Sequence, residues 1–476
     1  MSRSRILWIL IATFAGPAAL AADWNNAGGN AGRNGLTTEI GPDSLSDLLW
    51  SGGRSSIIAW QPVIEGGRVF MVRQTGFPPE PNSDESPVVA MNLDTGQELW
   101  FRHIPAAASD WTTWIAGARD GRVYAARSGN GSSVSAVMYA LDAATGATVW
   151  TSQDVTSAGA YDGVVFAGNG DLLVADFRNI TRIRATDGTT AFRVDRLASV
   201  SGSCGGCLNE SAAGGPAFYV ADAAPGGTVI KRFDAETGAL EYTSPVMAGF
   251  TIQNTPMVAP DGTVYLSRTQ NNTAVDFFYA INDDGAAMTI RWSVPARWSV
   301  VSEFAVNPSG DVFMMAPGDF IQLRSRVDGA LLAETEAPIA SDFNAQPRMA
   351  CDDLGRLYLS NGSFSLGRFY SYNADLTERW SLPVANINIG APAIGRDGTL
   401  VICGNGSNVR AYRTPRVDCP GDLDGDQAVA LSDLAILLSN FGTPGGAGAG
   451  DGDLDGDVDV DLSDLSLLLS LFGTTC

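Results

Sequence analysis

Short apolar runs separated by glycine-containing turns recur over residues 24–415. In each unit a turn glycine is followed directly by an apolar and aromatic run, which is typical of the second strand of a β-hairpin. Successive turn glycines are 42 to 54 residues apart. The eight predicted hairpin positions are 67–70, 121–124, 163–166, 215–218, 262–265, 310–313, 355–358 and 398–401.

A second element follows each hairpin by about 20 residues: an apolar run, an Asp-Gly turn, and an aromatic residue four positions past the glycine. Gly96 with Trp100 and Gly146 with Trp150 are the clearest copies, and Trp50 precedes Trp100 by 50 residues. A repeat of 40–50 residues with four strands per unit indicates a β-propeller. The recurrent tryptophans are expected to pack between blades.

The units predict a mainly β chain with eight blades, or seven if the degenerate sixth unit is misread. The last unit has no terminal tryptophan strand, whereas residues 48–50 form an orphan strand that carries one. We expect this orphan strand to complete the final blade, because closure removes the open sheet edge.

The units of Leu-Asp-x-x-Thr-Gly-x-x-x-Trp type, together with the opening motif at 23–35, resemble PQQ-like repeats. That resemblance implies the eight-bladed propeller of quinoprotein alcohol dehydrogenases and of a non-catalytic outer-membrane assembly factor. The quinoprotein enzymes carry adjacent cysteines over the quinone, whereas two glycines separate Cys204 from Cys207 here. We therefore do not expect PQQ as a cofactor.

The first 21 residues have the features of a secretory signal: Arg3 and Arg5, an apolar run at 6–15, and a small-residue cleavage site ending at Ala21. The expected domains are the signal peptide at 1–21, the propeller at 22–415 and a C-terminal module at 419–476. We expect export to the periplasm, the cell surface or the medium, without a membrane span.

Composition excludes several classes of chemistry. The formal charge of −22 argues against nucleic acid as a partner. The chain has one Lys and one His, so a Ser-His-Asp triad or a histidine-containing zinc site could use only His103. Export permits disulfides, and six cysteines leave fifteen pairings open. Cys419 and Cys476 lie at the two ends of the tail, which suggests a disulfide that closes it. Cys204 and Cys207 could close a short loop, and Cys351 and Cys403 either pair or stay buried as free thiols.

Residues 419–476 hold 11 Asp and no Glu, Lys or Arg. Two segments repeat with carboxylates at positions 1, 3, 5 and 12, and the position 7 residue donates a main-chain carbonyl, as in an EF-hand calcium loop. Glycine stands at position 4 and Asp replaces Glu at position 12. We predict two Ca²⁺ sites, one formed by Asp422, Asp424, Asp426, Ala428 and Asp433, the other by Asp453, Asp455, Asp457, Asp459, Asp461 and Asp464.

Position 9 is Ala430 in the first loop and Asp461 in the second, so we expect the first site to be weaker. Each loop precedes an apolar helical pattern, which a solvated acidic linker would not carry. The tail is thus predicted to be a small, duplicated, EF-hand-like helical module.

The duplicated loop and helix, with Ser-Asp at positions 11 and 12, resembles a type I dockerin, and the flanking Cys-Pro-Gly-Asp and C-terminal cysteine resemble GC-type dockerin-like anchors. This resemblance implies a cohesin-like or other surface protein module as partner. The residues that match the partner-selecting positions are Leu431, Ser432, Leu462 and Ser463.

These features predict an exported binding or scaffold protein attached to the cell surface or a secreted complex through its calcium-dependent module. A polysaccharide or a peptide could occupy the propeller funnel. Because type I dockerins often accompany glycoside hydrolases, a polysaccharide-degrading enzyme is the alternative, and a PQQ-dependent dehydrogenase ranks below both. We expect no catalytic residues.

Overall fold

The structure is a computed structural model of the 476-residue chain. The residues it describes are 23–52, 61–73, 87–105, 112–128, 136–156, 164–197, 205–249, 255–268, 276–297, 304–339, 348–361, 367–384, 391–403, 409–415, 419–424, 428–444, 447, 451–457 and 459–475. They belong to two compact units, one within Ala21–Thr414 and the other within Pro415–Cys476. The predicted signal peptide lies outside the described residues.

The larger unit contains eight antiparallel sheets, and each is one blade of a propeller. The first four blades are β2–β5 (Val63–Glu65, Arg68–Val72, Val88–Asn92, Glu98–Arg102), β6–β9 (Thr112–Arg119, Arg122–Ser128, Ala136–Asp142, Thr148–Thr156), β10–β13 (Val165–Phe166, Leu172–Ala175, Asn179–Ile183, Thr190–Asp195) and β14–β18 (Cys207–Asn209, Ala217–Ala224, Gly227–Asp234, Leu240–Thr243, Met247–Ala248).

The other four blades are β19–β22 (Met257–Val258, Val264–Arg268, Asp276–Asp283, Met288–Ala296), β23–β26 (Ala305–Val306, Val312–Met315, Ile321–Arg324, Leu331–Glu334), β27–β30 (Arg348–Cys351, Leu357–Ser360, Arg368–Tyr372, Glu378–Pro383) and β31–β33 (Ala393–Gly395, Thr399–Ile402, Val409–Tyr412) with β1 (Leu48–Gly52). Short 3-10 helices precede β1 at Leu45–Asp47 and β32 at Arg396–Gly398. The prediction of a mainly β, eight-bladed propeller is confirmed.

In the first seven blades the four principal strands pair in chain order from the innermost to the outermost, and in the fourth blade β18 also pairs with β16. The second strands are apolar runs that are buried almost throughout, as in β11, β24 and β28. The outermost strands instead alternate, and β9 exposes every second residue over much of its length. This difference follows from position, because inner strands have blades on both faces and outer strands border solvent.

The ring closes as the sequence predicts. Strand β1 pairs antiparallel with β33, so the orphan strand from the start of the chain becomes the outermost strand of the eighth blade. Trp50 of this strand is buried, and its indole N–H donates to the carbonyl of Leu93 in the first blade at 2.7 Å. The two ends of the propeller are therefore joined by backbone pairing and by a side chain.

Neighbouring blades interlock through an aromatic ring and a turn glycine. The indole of Trp100 lies on Gly146 of the next blade and donates to the carbonyl of Ala143 at 3.1 Å. The same ring-on-glycine contact recurs for Trp50 on Gly96, Trp150 on Gly188, Phe192 on Gly238 and Trp292 on Gly329. The expected role of the tryptophans in inter-blade packing is thus confirmed at these junctions.

We predict that Gly146→Ala is markedly more destabilising than Gly121→Ala. Both glycines have positive φ, +69° and +72°, which costs an L-residue about 1–2 kcal/mol. A Cβ at Gly146 would also lie 2.7 Å from the Trp100 ring, whereas one at Gly121 would have nothing within 4 Å. The clash should add about 1–3 kcal/mol. Urea unfolding of the two variants measures the difference, and equal losses would contradict the interlock.

One hairpin position is wrong. Residues 163–166 were predicted as the hairpin turn and second strand of the third unit, but Val165–Phe166 forms the innermost strand β10. The turn follows at 167–171, where Gly170 has φ +86°, and leads into β11. The first strand was mistaken for the second because both strands of this short hairpin are apolar and a glycine precedes each of them.

Residues 24–39 hydrogen-bond to all eight blades in chain order. This segment contacts the innermost strands of most blades, or the residues beside them, through its backbone carbonyls. The contacts are Ile64 N to Trp24 O, Ala118 N to Asn25 O, Asn26 Nδ2 to Val164 O, Leu208 N to Ala31 O, Val258 N to Gly32 O, Val306 N to Asn34 O, Cys351 N to Gly35 O and Gly398 N to Glu39 Oε2. The segment satisfies strand donors that would otherwise face the axis unpaired.

The smaller unit contains two helices, α1 (Leu431–Asn440) and α2 (Leu462–Leu471). Its core consists of Val429, Leu437, Ala447, Val460 and Leu468, with several partly buried leucines around them. Neither helix has the length and apolar character needed to cross a membrane, and the rest of the described chain contains no helix that does.

Candidate functional site

The smaller unit is an internal duplication with an offset of 31 residues. Val429, Asp433 and Leu437 of the first half correspond to Val460, Asp464 and Leu468 of the second, and all six are buried. Helices α1 and α2 begin at equivalent positions, so the duplicated sequence produces duplicated structure.

The two halves are joined by reciprocal backbone hydrogen bonds. Val429 N donates to Thr474 O and Gly473 N to Val429 O, while Val460 N donates to Thr443 O and Gly442 N to Val460 O. Each loop therefore pairs with the segment that follows the helix of the other half. This exchange gives the unit a two-fold internal symmetry, and neither half is complete alone.

A buried carboxylate closes each acidic loop. In the second half, Asp464 Oδ1 accepts from the backbone N–H of Leu454 and Asp455 at 2.7 and 3.2 Å, and Oδ2 accepts from Asp461 N at 2.8 Å. Asp461 in turn caps α2 by accepting from Ser463 N. A carboxylate at this place suits a helix N-terminus, where backbone N–H groups lack partners.

The first half is built the same way. Asp433 Oδ1 accepts from the N–H of Leu423 and Asp424, and Oδ2 accepts from Ala430 N at 2.7 Å. Ala430 occupies the cap position of α1 and offers no side-chain acceptor, unlike Asp461. The start of α1 thus depends on Asp433 alone among the described side chains.

The structure brings the predicted metal ligands together in three groups, each with one ligand oxygen per residue lying within 4.8 Å of the others. The groups are Asp422, Asp424 and Asp433; Asp453, Asp455 and Asp457; and Asp459, Asp461 and Asp464. Asp426 lies outside the described residues. Ala428, predicted to contribute its carbonyl, forms a β-bridge with Thr475.

The electrostatics of the second loop favour a cation. Desolvation raises the pKa of Asp455 and of Asp459, and repulsion from neighbouring carboxylates adds to it, although the backbone N–H of Asp457 partly offsets the rise at Asp455. Desolvation also acts to raise the pKa of Asp464, but backbone N–H donors outweigh it and hold that pKa below its usual value. The donor set consists of hard carboxylate oxygens, which fit Ca²⁺, and a cation would remove the repulsion.

The predicted partner-binding residues are all exposed at the first turns of the two helices. Leu431 and Leu462 are 73% and 71% exposed, a high value for leucine, and Ser432 and Ser463 are exposed beside them. Sequence reasoning missed two further pairs of exposed apolar side chains on these halves, Leu438 with Leu469 and Phe441 with Phe472. The sequence contained a signal for these residues. Each pair is 31 residues apart, and an exposed apolar residue that recurs in both halves is not explained by packing of the core.

The centre of the propeller holds a small cavity of about 50 Å³ among the described residues. It is lined by Arg33 of the N-terminal segment, by Gln61, and by Arg348 of the seventh blade. Arg33 has φ +56° and donates through Nε to Gly206 O at 2.7 Å. Gln61 links the N-terminal segment to the eighth blade, accepting from Gly28 N and donating to Pro392 O. The cavity is well below the 300–1,000 Å³ of usual ligand pockets.

The structure excludes two of the disulfide pairings that the sequence left open and agrees with the alternative that Cys351 and Cys403 stay buried as free thiols. Cys207, Cys351 and Cys403 are buried free thiols, so neither a Cys204–Cys207 loop nor a Cys351–Cys403 disulfide is present. Burial raises the pKa of Cys207 and Cys351 well above the usual thiol range and that of Cys403 to about 12, so these thiols are unreactive. Cys419 is disulfide-bonded, whereas Cys476 and Cys204 lie outside the described residues.

Comparison with known proteins bears on the larger unit. The model of the family described as outer membrane protein assembly factor BamB matches residues 84–282 and 134–401. No curated protein matches the chain.

Solved structures share the fold at low sequence identity. BamB from Moraxella catarrhalis is 14% identical with a TM-score of 0.52, covering 77% of this chain and 99% of that one. Quinohemoprotein alcohol dehydrogenase from Comamonas testosteroni is 11% identical with a TM-score of 0.56, covering 83% and 82%. The C-terminal WD40 domain of Sif2 is 9% identical with a TM-score of 0.53, covering 79% and 99%. At these identities the likeness establishes a shared propeller fold and nothing finer.

Proposed function

Because this chain belongs to the family of the outer membrane protein assembly factor BamB, we propose that it is an exported, non-catalytic binding or scaffold protein whose propeller is held at the cell surface or in a secreted complex by its C-terminal unit. The observation that carries this proposal is the symmetric pairing, in that unit, of two carboxylate-rich loops with two exposed apolar helix starts.

The propeller supports a binding role better than a catalytic one. The N-terminal segment bonds to the inner side of each blade in turn, and the central cavity among the described residues is small. The buried thiols are unreactive, and the single histidine, His103, lies at the end of an outer strand rather than at the axis. A rigid ring with broad solvent-facing surfaces is suited to presenting binding sites.

The acidic loops support calcium-dependent attachment. In the proposed sites the carboxylates of Asp422, Asp424, Asp426 and Asp433 hold one ion, with the Ala428 carbonyl. The six aspartates from Asp453 to Asp464, which the structure places in two groups of three, hold the other. Ca²⁺ would supply charge neutralisation and oxygen coordination. Asp433 and Asp464 would then fix each loop to the start of its helix, which sets the direction of the exposed leucines.

The chemistry of the module also defines the partner. The unit carries 11 Asp without a basic residue, and its exposed apolar side chains occur as two equivalent sets, one on each half. A protein module with an apolar surface rimmed by basic residues would complement either set. A cohesin-like domain or another surface protein is the proposed class, contacted through Leu431, Ser432, Leu462 and Ser463.

We predict that Leu431→Asp combined with Leu462→Asp releases the protein from the surface of its native host into the medium. Loss of two central apolar contacts should weaken the attachment by at least about 2 kcal/mol, roughly thirtyfold. Immunoblots of cell-surface and medium fractions measure how much protein is released. A chain that lacks residues 419–476 shows the amount released when attachment is lost completely.

Ser439→Asp combined with Ser470→Asp is the matched control, since these residues are exposed, lie on the same helices and are also 31 residues apart. The control should remain at the surface. Retention of the leucine double variant, or retention of the wild type after chelation with EGTA, would contradict the proposed attachment.

A further inference from the structure

The junction between the fourth and fifth blades departs from the aromatic-glycine interlock. At this position the fourth blade has Tyr242, and the turn that should receive its ring is shortened. Asp284 N donates to Ala287 O, three residues on, whereas the corresponding bond in the second blade runs from Asp142 N to Ala147 O, five residues on. The tyrosine consequently has no projecting glycine to cover.

A buried polar cluster replaces the missing interlock. The hydroxyl groups of Tyr242 and Tyr219 each donate to Asp283, at 2.5 Å, and the Arg232 guanidinium lies 3.3 Å from the same carboxylate. Arg232 also donates to the carbonyls of Ala213 and Gly215. Burial raises the pKa of Tyr242 to about 12, so its hydroxyl remains a donor at physiological pH. The cluster holds the two blades together but does not fill the space between them.

The space that remains is a cavity of about 400 Å³, within the range of small-molecule sites. Its walls come from the β14–β15 turn of the fourth blade and from the β19–β20 turn and strands β21 and β22 of the fifth. One side is closed where the backbones of Gly214 and Gly285 meet, since a Cβ on Gly285 would lie 2.7 Å from Ala213 C. The cavity opens to solvent beside Ser211 and Asp261, which are exposed.

The lining is rich in hydrogen-bonding groups and compensated in charge. Asp283 is paired with Arg232, and Asp261 lies 3.8 Å from Arg291 and 3.6 Å from Arg326. Because both lining carboxylates face guanidinium groups, the site does not require a cation, and the same carboxylates disfavour an anion.

Donors remain for a ligand. The side-chain oxygen of Asn282 accepts from Arg291, and that of Asn209 accepts from Ser211. Within the described part of the chain, the NH₂ groups of these two asparagines have no acceptor. Amide donors next to the accessible Asp261 carboxylate provide both the donors and the acceptor that adjacent hydroxyls of a sugar ring need.

We propose that the cavity at the junction of the fourth and fifth blades binds a neutral polyhydroxylated ligand, a mono- or disaccharide or the end of a glycan. Asn209, Asn282 and Asp261 contact its hydroxyl groups, and Ser211 lies at the mouth. All of the lining residues belong to the larger unit, so this proposal can be tested independently of the attachment proposed above.

The test titrates the full chain, in buffer with Ca²⁺, with cellobiose, maltose and N,N′-diacetylchitobiose as neutral probes and with glucuronate and glucosamine as charged ones. Saturation-transfer NMR and calorimetry report binding. At least one neutral probe should bind saturably, and Ser211→Trp, which places a large ring at the mouth, should weaken that binding by about tenfold or more, or by ~1.4 kcal/mol.

Ser309→Trp is the matched control, because Ser309 is exposed in the corresponding β23–β24 turn of the sixth blade. It should bind as the wild type does. If Ser211→Trp lowers the melting temperature, Asp261→Asn replaces it, with an expected loss of about fivefold. The proposal is overturned if no neutral probe binds, if only a charged probe binds, or if binding survives the pocket variant unchanged.

Discussion

Chelation of calcium is expected to unfold the C-terminal unit and to leave the propeller folded. The second loop carries six carboxylates within residues 453–464, and their mutual repulsion contributes to the raised pKa of Asp455 and of Asp459, so a bound cation should stabilise the fold. At a calcium concentration of 100 to 1,000 times the dissociation constant, binding would stabilise the unit by about 2.7–4.1 kcal/mol. Five buried apolar side chains form the core of this unit, and so small a core leaves the fold sensitive to the loss of bound calcium.

Hydrogen-exchange mass spectrometry of the full chain, with Ca²⁺ or with EGTA, gives the local readout that circular dichroism of a mainly β protein would obscure. Peptides from 429–440 and 460–471 should lose protection in EGTA, while those from the propeller strands should not change. Protection that is independent of calcium in both segments would refute the metal sites.

Asp464→Asn tests whether calcium binding depends on coordination by this residue rather than on the overall negative charge of the unit. It keeps the side-chain shape but removes a charge from the buried residue that holds the second loop, so calcium affinity should fall at least about tenfold. Asp451→Asn removes one charge from the same unit at a position outside the ligand pattern and should change affinity little. Equal losses in the two variants would indicate bulk electrostatics rather than coordination.

Trp50→Ala is expected to destabilise the propeller strongly. The indole fills the contact between the eighth and first blades, with a Cβ on Gly96 only 2.4 Å from its ring, and it donates to Leu93 O. Truncating a buried tryptophan costs about 3–5 kcal/mol. This site also closes the ring, so the loss should appear as faster hydrogen exchange in β1 and β33 as well as a lower urea midpoint.

Leu49→Ala is the control on the same strand. Leu49 is exposed, and its truncation should change stability by no more than about 0.5 kcal/mol. Far-ultraviolet circular dichroism follows both unfolding curves, since tryptophan fluorescence would itself change in the Trp50 variant. A Trp50→Ala loss no larger than that of Leu49→Ala would mean that ring closure does not depend on this side chain.

The repeat in the sequence predicts the blades because each blade is a local structure of consecutive hairpins. Turn glycines, strand alternation and the tryptophan period are all encoded within 40–50 residues, and only the third hairpin was misplaced. The closing role of 48–50 was also predictable, since an orphan strand and a blade that lacks one complement each other.

The N-terminal segment was not predictable in this way. Its backbone carbonyls at Trp24, Gly32 and Gly35 bond to different blades, and backbone contacts leave no pattern in side-chain type. The cavity beside Tyr242 was equally hidden. The sequence shows a tyrosine in place of tryptophan and a short turn, but whether a neighbour fills the gap depends on residues some forty positions away.

By itself, the sequence determined the propeller architecture, the closure of the ring and the order of the aspartates along the two acidic loops, because these follow from local periodicity and from residue chemistry. The tertiary structure alone decided that three cysteines remain buried thiols, that the two acidic halves complete each other through Val429 and Val460, and that one blade junction contains a polar cavity. These features arise from contacts between distant segments, where packing and burial, rather than residue type, set the outcome.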